Sequence, residues 1–204
     1  MVICVGTLIL EDGAMSNKND EIQYCNVFTS PRGTVHDVYL GESIRSEERH
    51  YLDLLRDLAT AAEEDMFVFH MANHGGDCHV GFRLANAIIN SPARSAALVE
   101  GNCYSMGSFL TLACDEIGFF PGTFLMFHNF TSFTGGKGHE LLGAVTEWEK
   151  HFRTMAATLC SPFLTKKELV NLHADKDVYV HATDSDILAR LERHLSKWNK
   201  GKKK

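Results

Sequence analysis

Short apolar runs alternate along most of the chain with segments in which apolar residues recur every three or four positions. The continuous runs predict buried strands, and the recurring positions predict amphipathic helices. The predicted strands occupy residues 36–40, 66–71 and 96–100. The predicted helices occupy residues 46–64, 78–90 and 106–114. Because strands and helices alternate with short connections, we expect an α/β fold of repeated βαβ units with a parallel sheet flanked by helices.

The N-terminal segment, residues 1–34, has a different pattern. Two short apolar stretches, at 2–10 and 22–28, flank a polar loop and are followed by the turn signal Ser-Pro-Arg-Gly. This pattern predicts an N-terminal hairpin appended to a main domain of residues 35–196. A basic tail at 197–204 ends the chain.

Capping signals predict where two helices begin. Ser46 precedes the predicted helix 46–64, and an N-cap serine would accept a hydrogen bond from its first turn. Thr165 and Glu168 have the spacing of a capping box, which predicts a short helix after the long apolar-striped helix at 140–159.

Composition and charge narrow the class of protein. At 204 residues and 22.8 kDa the chain has the size of one domain. Its net charge of −6 argues against general nucleic-acid binding, which needs a basic surface. The six cysteines form no Cys-x-x-Cys pair and lie mostly in apolar segments, so we expect them to be reduced. The apolar start lacks signal-peptide features, and no apolar run reaches the about 20 residues that span a bilayer, so we expect a cytoplasmic protein without a membrane partner.

A serine, a histidine, an aspartate and a glycine pair occupy predicted strand ends. Ser105 stands at the apex of a small-residue turn between a strand and a helix. His128 follows the apolar run Phe-Leu-Met-Phe, and Asp177 precedes Val-Tyr-Val. Sites in parallel α/β sheets lie at the carboxyl ends of strands, so Gly75 and Gly76 should share an edge with Ser105.

These residue types can together make a serine hydrolase. A serine hydroxyl is a weak nucleophile unless a neighbouring base removes its proton, and His128 can be that base for Ser105. A carboxylate must then fix the imidazole tautomer. Asp177 is the candidate for this role, with Asp175 as an alternative.

Backbone N–H groups could stabilise the oxyanion that forms during attack. Met106, which follows the serine, and Gly76 in the glycine turn are the candidate donors. Taken singly, each feature also has an ordinary structural interpretation, such as an N-cap serine, a core histidine or a turn aspartate. The combination of all of them favours the catalytic interpretation.

A metal site is the chemical alternative. Eleven histidines are many for this length, and several potential ligands cluster around the glycine turn. The clustered residues are His70, His74, Asp77, Cys78 and His79. Their types fit zinc. However, no His-Glu-x-x-His motif is present, and a ligand pair at 70 and 74 would span a strand and its turn, so a site without metal is favoured.

The motifs and their order resemble a known family. In chain order they are Tyr-Leu-Gly-Glu-Ser-Ile at 39–44, a strand ending in Gly-Gly at 75–76, Ser-Met-Gly at 105–107, Met-Phe-His-Asn at 126–129 and Lys-Asp-Val-Tyr at 176–179. From about residue 38 to 194 the chain resembles the proteolytic subunit of the Clp protease, ClpP, within the ClpP/crotonase superfamily.

The resemblance implies a serine endopeptidase that cleaves peptides or unfolded proteins with Ser105, His128 and Asp177. It implies a homo-oligomer of heptameric rings around a chamber, no cofactor for cleavage, and a hexameric AAA+ ATPase unfoldase as partner. A glycine-rich strand and the long helix, at about 134–159, would form a protruding handle at the ring-to-ring contact. The residues that would line the bound peptide are Gly75, Asp77, Cys78, Gly135 and Gly136.

The chain also departs from the family pattern. Asn73 and His74 replace the Ser-Pro before the glycine pair, and Asn129 replaces the glutamine after the base. Residues 1–34 do not match the axial loops that contact the ATPase. These departures leave room for a bacteriophage head-maturation protease of the same fold, or for a catalytically dormant ring or scaffold subunit. A crotonase-like acyl-CoA enzyme is a further alternative, since its oxyanion hole also uses backbone N–H groups.

Overall fold

The computed structural model describes residues 3–4, 25–30, 33–132 and 135–201. Its strands are β1 (Ile3–Cys4), β2 (Cys25–Ser30), β3 (Gly33–Leu40), β4 (Met66–Met71), β5 (Arg94–Val99), β6 (Cys103–Tyr104), β7 (Glu116–Phe119), β8 (Phe124–Phe127) and β9 (Val178–His181). Within the described ranges they form a six-stranded sheet in the order β1-β7-β5-β4-β3-β2 and a three-stranded sheet in the order β6-β8-β9.

The centre of the larger sheet is parallel, because β3, β4, β5 and β7 pair with their neighbours in the same direction. Val38 pairs with Phe69, which pairs with Ala97, and all three side chains are buried. Strands that are apolar over their whole length are typical of a sheet covered on both faces. The α/β fold with a parallel sheet flanked by helices is therefore confirmed.

The helices follow the predicted alternation with strands. They are a 3₁₀ helix (Glu48–Tyr51), α1 (Leu52–Thr60), α2 (Cys78–Asn90), α3 (Met106–Thr111), α4 (Gly138–Cys160), α5 (Lys166–His173) and α6 (Ile187–Gly201). The predicted capping box is present at the start of α5, where Thr165 and Glu168 exchange hydrogen bonds between side chain and backbone. α2 begins as predicted, and the Asp77 side chain caps it by accepting from Val80 N–H at 2.9 Å.

The predicted helix at 46–64 is too long, and Ser46 does not cap it. The chain first makes the 3₁₀ turn, because the Tyr51 hydroxyl accepts a hydrogen bond from Arg45 N–H at 3.0 Å and holds the entry loop. α1 ends at Thr60, where the Asp65 carboxylate accepts from Ala62 N–H at 2.8 Å and turns the chain into β4.

The predicted pairing of the two N-terminal strands is wrong for the residues that the structure describes. β1 pairs with β7, whereas β2 pairs with β3 in an antiparallel hairpin, so they lie at opposite edges of the larger sheet. Residues 5–24 lie outside the described ranges. Strand pairing is decided by the whole sheet, so proximity in sequence was a poor guide here. The domain boundary at residue 34 stays a prediction.

Aromatic side chains hold the smaller sheet against the helices. The ring of Phe109 in α3 lies 5.6 Å from that of Phe127 in β8 and 5.7 Å from that of Phe152 in α4. All three side chains are buried. Offset and edge-to-face aromatic pairs stabilise beyond their buried area. This cluster therefore fixes the carboxyl end of β8, where His128 follows.

The first half of α4 projects from the body of the domain. Leu142 is 71% exposed and Val145 is 41% exposed, whereas Phe152 in the second half is buried. This helix is the predicted long helix of the handle. Of the glycine-rich segment before it, residues 135–137 form no strand, and residues 133 and 134 lie outside the described ranges.

The C-terminal part of the chain is helical further than predicted. α6 continues to Gly201, so residues 197–201 of the predicted basic tail belong to the helix, and residues 202–204 lie outside the described ranges. Lys197 Nζ donates to the backbone oxygens of Thr158 and Ser161. None of the helices in the described part of the chain is long and apolar enough to cross a membrane.

Candidate active site

The smaller sheet brings three predicted residues to one edge. β6 and β8 are parallel, with Tyr104 opposite Met126, so Ser105 and His128 leave their strands at the same end. β9 is antiparallel to β8 and begins at that end, with Val178 opposite Phe127. One step further along this register, His128 is opposite Asp177. Since β8 is the middle strand, His128 lies between the chain segments of Ser105 and Asp177.

Ser105 has an unusual backbone conformation. Its φ is 51° and its ψ is −123°, a backbone conformation that residues other than glycine rarely adopt. The conformation is held on both sides: Ser105 N–H donates to Met126 O at 2.8 Å, and Ser105 O accepts from Ser108 N–H at 2.9 Å. Such strain persists only where the surroundings enforce it, and it is concentrated at functional sites.

The glycine turn packs directly against Ser105. A Cβ atom at Gly75 would lie 2.7 Å from the Ser105 Cβ and 3.2 Å from Met106 N. Gly75 and Gly76 both have positive φ, 88° and 131°, so glycine is required for the backbone as well as for the space. The turn and the start of α3 are therefore neighbours, as the sequence predicted for one sheet edge.

The glycine turn is also fixed on its other side. Ile44 N–H donates to Gly75 O at 2.6 Å, and Asp77 N–H donates to Ile44 O at 2.9 Å. These bonds form a parallel bridge between Ile44 and Gly76, in which the N–H of Gly76 points away from Ile44. Within the described residues, neither Gly76 N–H nor Met106 N–H donates a hydrogen bond.

The chain segments of the predicted triad lie at the same end of the smaller sheet, but among the described residues their side chains are not connected. Ser105 and His128 are half-buried and Asp177 is exposed. Among the described residues, no hydrogen bond joins the Ser105 hydroxyl, the His128 ring and the Asp177 carboxylate. The alternative acid, Asp175, is engaged elsewhere: its Oδ1 accepts from Asn129 Nδ2 at 2.6 Å.

The predicted peptide-lining residues have different surroundings. The Asp77 carboxylate is used as the cap of α2. Burial, with a further contribution from the Asp77 charge, raises the pKa of Cys78 to about 11, so its thiol stays protonated at neutral pH. Gly136 packs beside Leu141 at the start of α4, and the space around Gly135 is open.

A groove with aromatic walls opens next to these segments. It has a volume of ≈ 250 Å³. Its lining residues are His79, Phe130, Ser132, Ala144, Val145 and Trp148. The His79 and Trp148 rings lie 4.1 Å apart. Since His79 follows the glycine turn by three positions and Phe130 follows His128 by two, the groove adjoins the candidate site.

The histidines of the metal alternative point to separate partners. His70 Nδ1 lies 2.8 Å from Glu100 Oε1, and its Nε2 lies 3.1 Å from Asp37 Oδ1. His74 stacks on Tyr104 rather than turning toward His70. In the ranges that the structure describes, no group of three His, Cys, Asp or Glu side chains could hold a metal ion.

Sequence reasoning missed two polar residues near the site edge. Asn73, noted only as a departure from the family motif, is 1% exposed and makes several hydrogen bonds with its side chain and backbone. Glu100, predicted as the last residue of a strand, is the partner of His70. The signal for Asn73 was its place two residues before a glycine, where asparagine commonly forms a side-chain turn. No local signal pointed to Glu100.

Comparison with known proteins identifies the family. The family model described as Clp protease matches residues 32–187, which is more than half of the chain. Comparison with curated proteins finds no significant match. The match covers the larger sheet from β3 onward and all of the smaller sheet, including the segments of Ser105, His128 and Asp177. The chain therefore belongs to the Clp protease family of serine peptidases.

Proposed function

We propose that the protein is a serine endopeptidase with Ser105 as nucleophile, His128 as general base and Asp177 as the acid that orients the base. Ser105 Oγ attacks the carbonyl carbon of a peptide bond while His128 takes the hydroxyl proton. His128 then returns that proton to the leaving amine, which leaves an acyl-enzyme. Water hydrolyses the ester in the same way and restores the serine.

The observation that carries this proposal is the strained backbone of Ser105 beside the glycine turn. An N-cap serine needs no positive φ, because capping residues normally have extended backbone. Here Ser105 has φ 51°, makes no side-chain capping bond and lies against Gly75. A serine forced into a sharp turn between strand and helix presents its hydroxyl outward, which suits a nucleophile.

Two backbone donors support the formation of an oxyanion hole. Met106 N–H is at the first position of α3, where helical N–H groups have no partner within the helix. Gly76 N–H faces away from its bridge partner Ile44. Preorganised donors of this kind lower the barrier because they need no reorientation when charge develops on the carbonyl oxygen.

The choice of Asp177 over Asp175 rests on hydrogen bonding and register. Asp175 accepts from Asn129 at 2.6 Å, which satisfies it outside the proposed triad. Asp177 comes opposite His128 when the register is extended one step beyond the last pair, Phe127 and Val178, and its side chain makes no hydrogen bond among the described residues. Hydrogen bonds between catalytic side chains are often long or absent without substrate, and they tighten in the substrate complex.

The substrate that fits this site is an extended peptide of an unfolded protein. The groove beside His79 and Trp148 is lined by aromatic and aliphatic side chains, which suits an apolar substrate residue. The Clp protease family forms oligomeric rings, and the exposed Leu142 and Val145 of α4 support contacts between copies of this chain. A chamber formed by such rings would admit unfolded chains and exclude folded proteins.

A second candidate function is a ring or scaffold subunit without peptidase activity. The missing hydrogen bonds between Ser105, His128 and Asp177 are the observation that favours it. In this case the protein would keep the fold and the assembly without the activity, and the strained serine would have no chemical role.

Labelling with a fluorophosphonate separates the two candidates, because the reagent reacts only with an activated serine. The size-fractionated protein is treated and its intact and peptide-mapped masses are measured. We expect one adduct, on Ser105, and we expect it to disappear in His128→Ala. The control is Ser46→Ala, at an exposed serine before the 3₁₀ helix, and it should label like the wild type. Absence of an adduct in every oligomeric fraction would refute the peptidase proposal and favour the scaffold.

A further inference from the structure

Asn73 is a buried polar residue at the meeting point of three backbone segments. Its side chain is 1% exposed, although amides are seldom buried without a structural or functional reason. It lies between the end of β4 and the glycine turn. The α3 helix approaches so closely that a Cβ at Gly107 would lie 2.8 Å from Asn73 Oδ1.

Both side-chain polar atoms of Asn73 and its backbone oxygen make hydrogen bonds. Its Oδ1 accepts from Gly75 N–H at 2.8 Å, and its Nδ2 donates to Glu42 O. Its backbone oxygen accepts from Tyr104 N–H at 2.8 Å. One residue therefore ties together the glycine turn, the loop after β3 and the strand that ends at Ser105.

The glycine turn needs such a constraint because its own residues supply little rigidity. Gly75 and Gly76 have no side chains and occupy positive φ, where glycine is conformationally most free. The preceding residue, His74, is exposed and touches the site only through its stacking on Tyr104, with ring centroids 5.8 Å apart. Besides the backbone bridge to Ile44, the turn is held by the hydrogen bond that Gly75 N–H donates to Asn73 Oδ1, two residues before it.

We infer that Asn73 is a positioning residue for the oxyanion hole: its carboxamide holds the glycine turn so that Gly76 N–H and Met106 N–H point to one place. The inference rests on the proposed function. Because Gly75 N–H donates to the Asn73 carboxamide, Gly76 N–H is the donor of the turn that can face the substrate. Positioning of this kind acts on the transition state, where the carbonyl oxygen carries charge, and hardly on ground-state peptide binding.

The test compares steady-state kinetics of Asn73→Ala, Asn73→Ser and a matched control, Ser95→Ala, in the assembled full-length protein with a fluorogenic peptide. Ser95 is also buried, at 1% exposure, and its hydroxyl bonds Asp115 at 3.0 Å. It lies near the start of β5, whereas the site lies where the parallel strands end, so the two are at opposite ends of the strands. Thermal unfolding is measured for every variant.

In Asn73→Ala we expect kcat to fall by about 10-fold to 100-fold while KM stays within about 2-fold, since donor alignment is lost but not the groove. Affinity for a peptide boronate, which mimics the tetrahedral intermediate, should fall with kcat. Asn73→Ser keeps a short acceptor for Gly75 N–H and should recover part of kcat. Ser95→Ala should lower the melting temperature and leave kcat unchanged.

A folded Asn73→Ala with wild-type kcat and boronate affinity would overturn the inference, and so would an equal loss of kcat in Ser95→Ala. If Asn73→Ala does not fold, Asn73→Ser decides: a kcat about 3-fold to 10-fold below wild type supports the inference, and an unchanged kcat overturns it. Ser105→Ala is measured alongside. If that variant keeps its activity, the proposed function itself is wrong. If it is inactive while the Asn73 variants are fully active, only the inference fails.

Discussion

Replacing Gly75 by alanine should disable the site through a single methyl group, and Gly122 offers a matched control. Both glycines have nearly the same positive φ, 88° at Gly75 and 84° at Gly122. An added Cβ at Gly75 would meet Ser105 Cβ at 2.7 Å, whereas at Gly122 nothing lies within 4 Å. The pair therefore separates the cost of the backbone conformation from the cost of crowding Ser105.

The expected magnitudes follow from these distances. Alanine in a left-handed conformation costs about 1–2 kcal/mol, and both variants should lose this much stability. Carbon atoms in contact prefer about 3.5–4.0 Å, so the Gly75 turn or the Ser105 turn must move by roughly 1 Å. A displacement of that size between reacting groups costs about 100-fold in rate, which corresponds to about 2.7 kcal/mol of barrier.

The assay is the second-order rate of fluorophosphonate labelling at Ser105, followed by intact mass, together with urea unfolding of the same samples. Gly75→Ala should label about 100-fold more slowly than wild type, and Gly122→Ala should label at the wild-type rate. Two results would refute the reasoning: wild-type labelling of Gly75→Ala, or an equal loss of labelling in Gly122→Ala.

Three further predictions concern stability. Burial lowers the pKa of His194 to about 4, below the ordinary histidine value of 6.5. The neutral ring therefore contributes its full stability above pH 6.5, and this contribution is lost as pH falls toward 4. In urea unfolding, the free energy of unfolding should be about 2 kcal/mol lower at pH 5 than at neutral pH, and His194→Gln should abolish this loss. At His70 burial lowers the pKa, but the hydrogen bonds that its ring donates to the Glu100 and Asp37 carboxylates outweigh burial and raise the pKa overall. The stabilisation is therefore complete below pH 6.5 and is lost as pH rises through the raised value. Glu100→Gln should flatten this decline in unfolding titrations, and an unchanged slope would contradict it. Phe109→Ala should cost about 3–5 kcal/mol in urea unfolding, because it empties a buried ring site among three other aromatic rings; a loss below about 1 kcal/mol would contradict the packing argument.

Much of the candidate site followed from the sequence because its residues are tied to strand ends. Apolar runs fixed where β5 and β8 occur, and the small-residue turn after β5 marked Ser105 before any contact was known. His128 and Asp177 were predicted from their places at the borders of apolar segments. The assignment of these residues as a catalytic triad stays a prediction that the labelling experiment tests.

The long-range arrangement did not follow, for physical reasons that differ between elements. Strand pairing depends on which edges remain free in the complete sheet, so β1 joined β7 and β2 joined β3 against the hairpin prediction. The helix predicted at 46–64 ended early because the carboxylate of Asp65, the residue before β4, accepts a hydrogen bond from Ala62 N–H. Local apolar periodicity indicates neither which strands pair nor where a hydrogen bond from outside the helix ends it.

By itself, the sequence determined the order of strands and helices, because apolar periodicity is a local property that survives in any compact arrangement. It also determined which residues form the turn around Ser105, the proposed nucleophile. Only the tertiary structure decided that Ser105 is held at positive φ against Gly75, and that Asn73 joins Gly75 to Glu42. These features depend on contacts between segments far apart in the chain, and backbone strain exists only where such contacts enforce it.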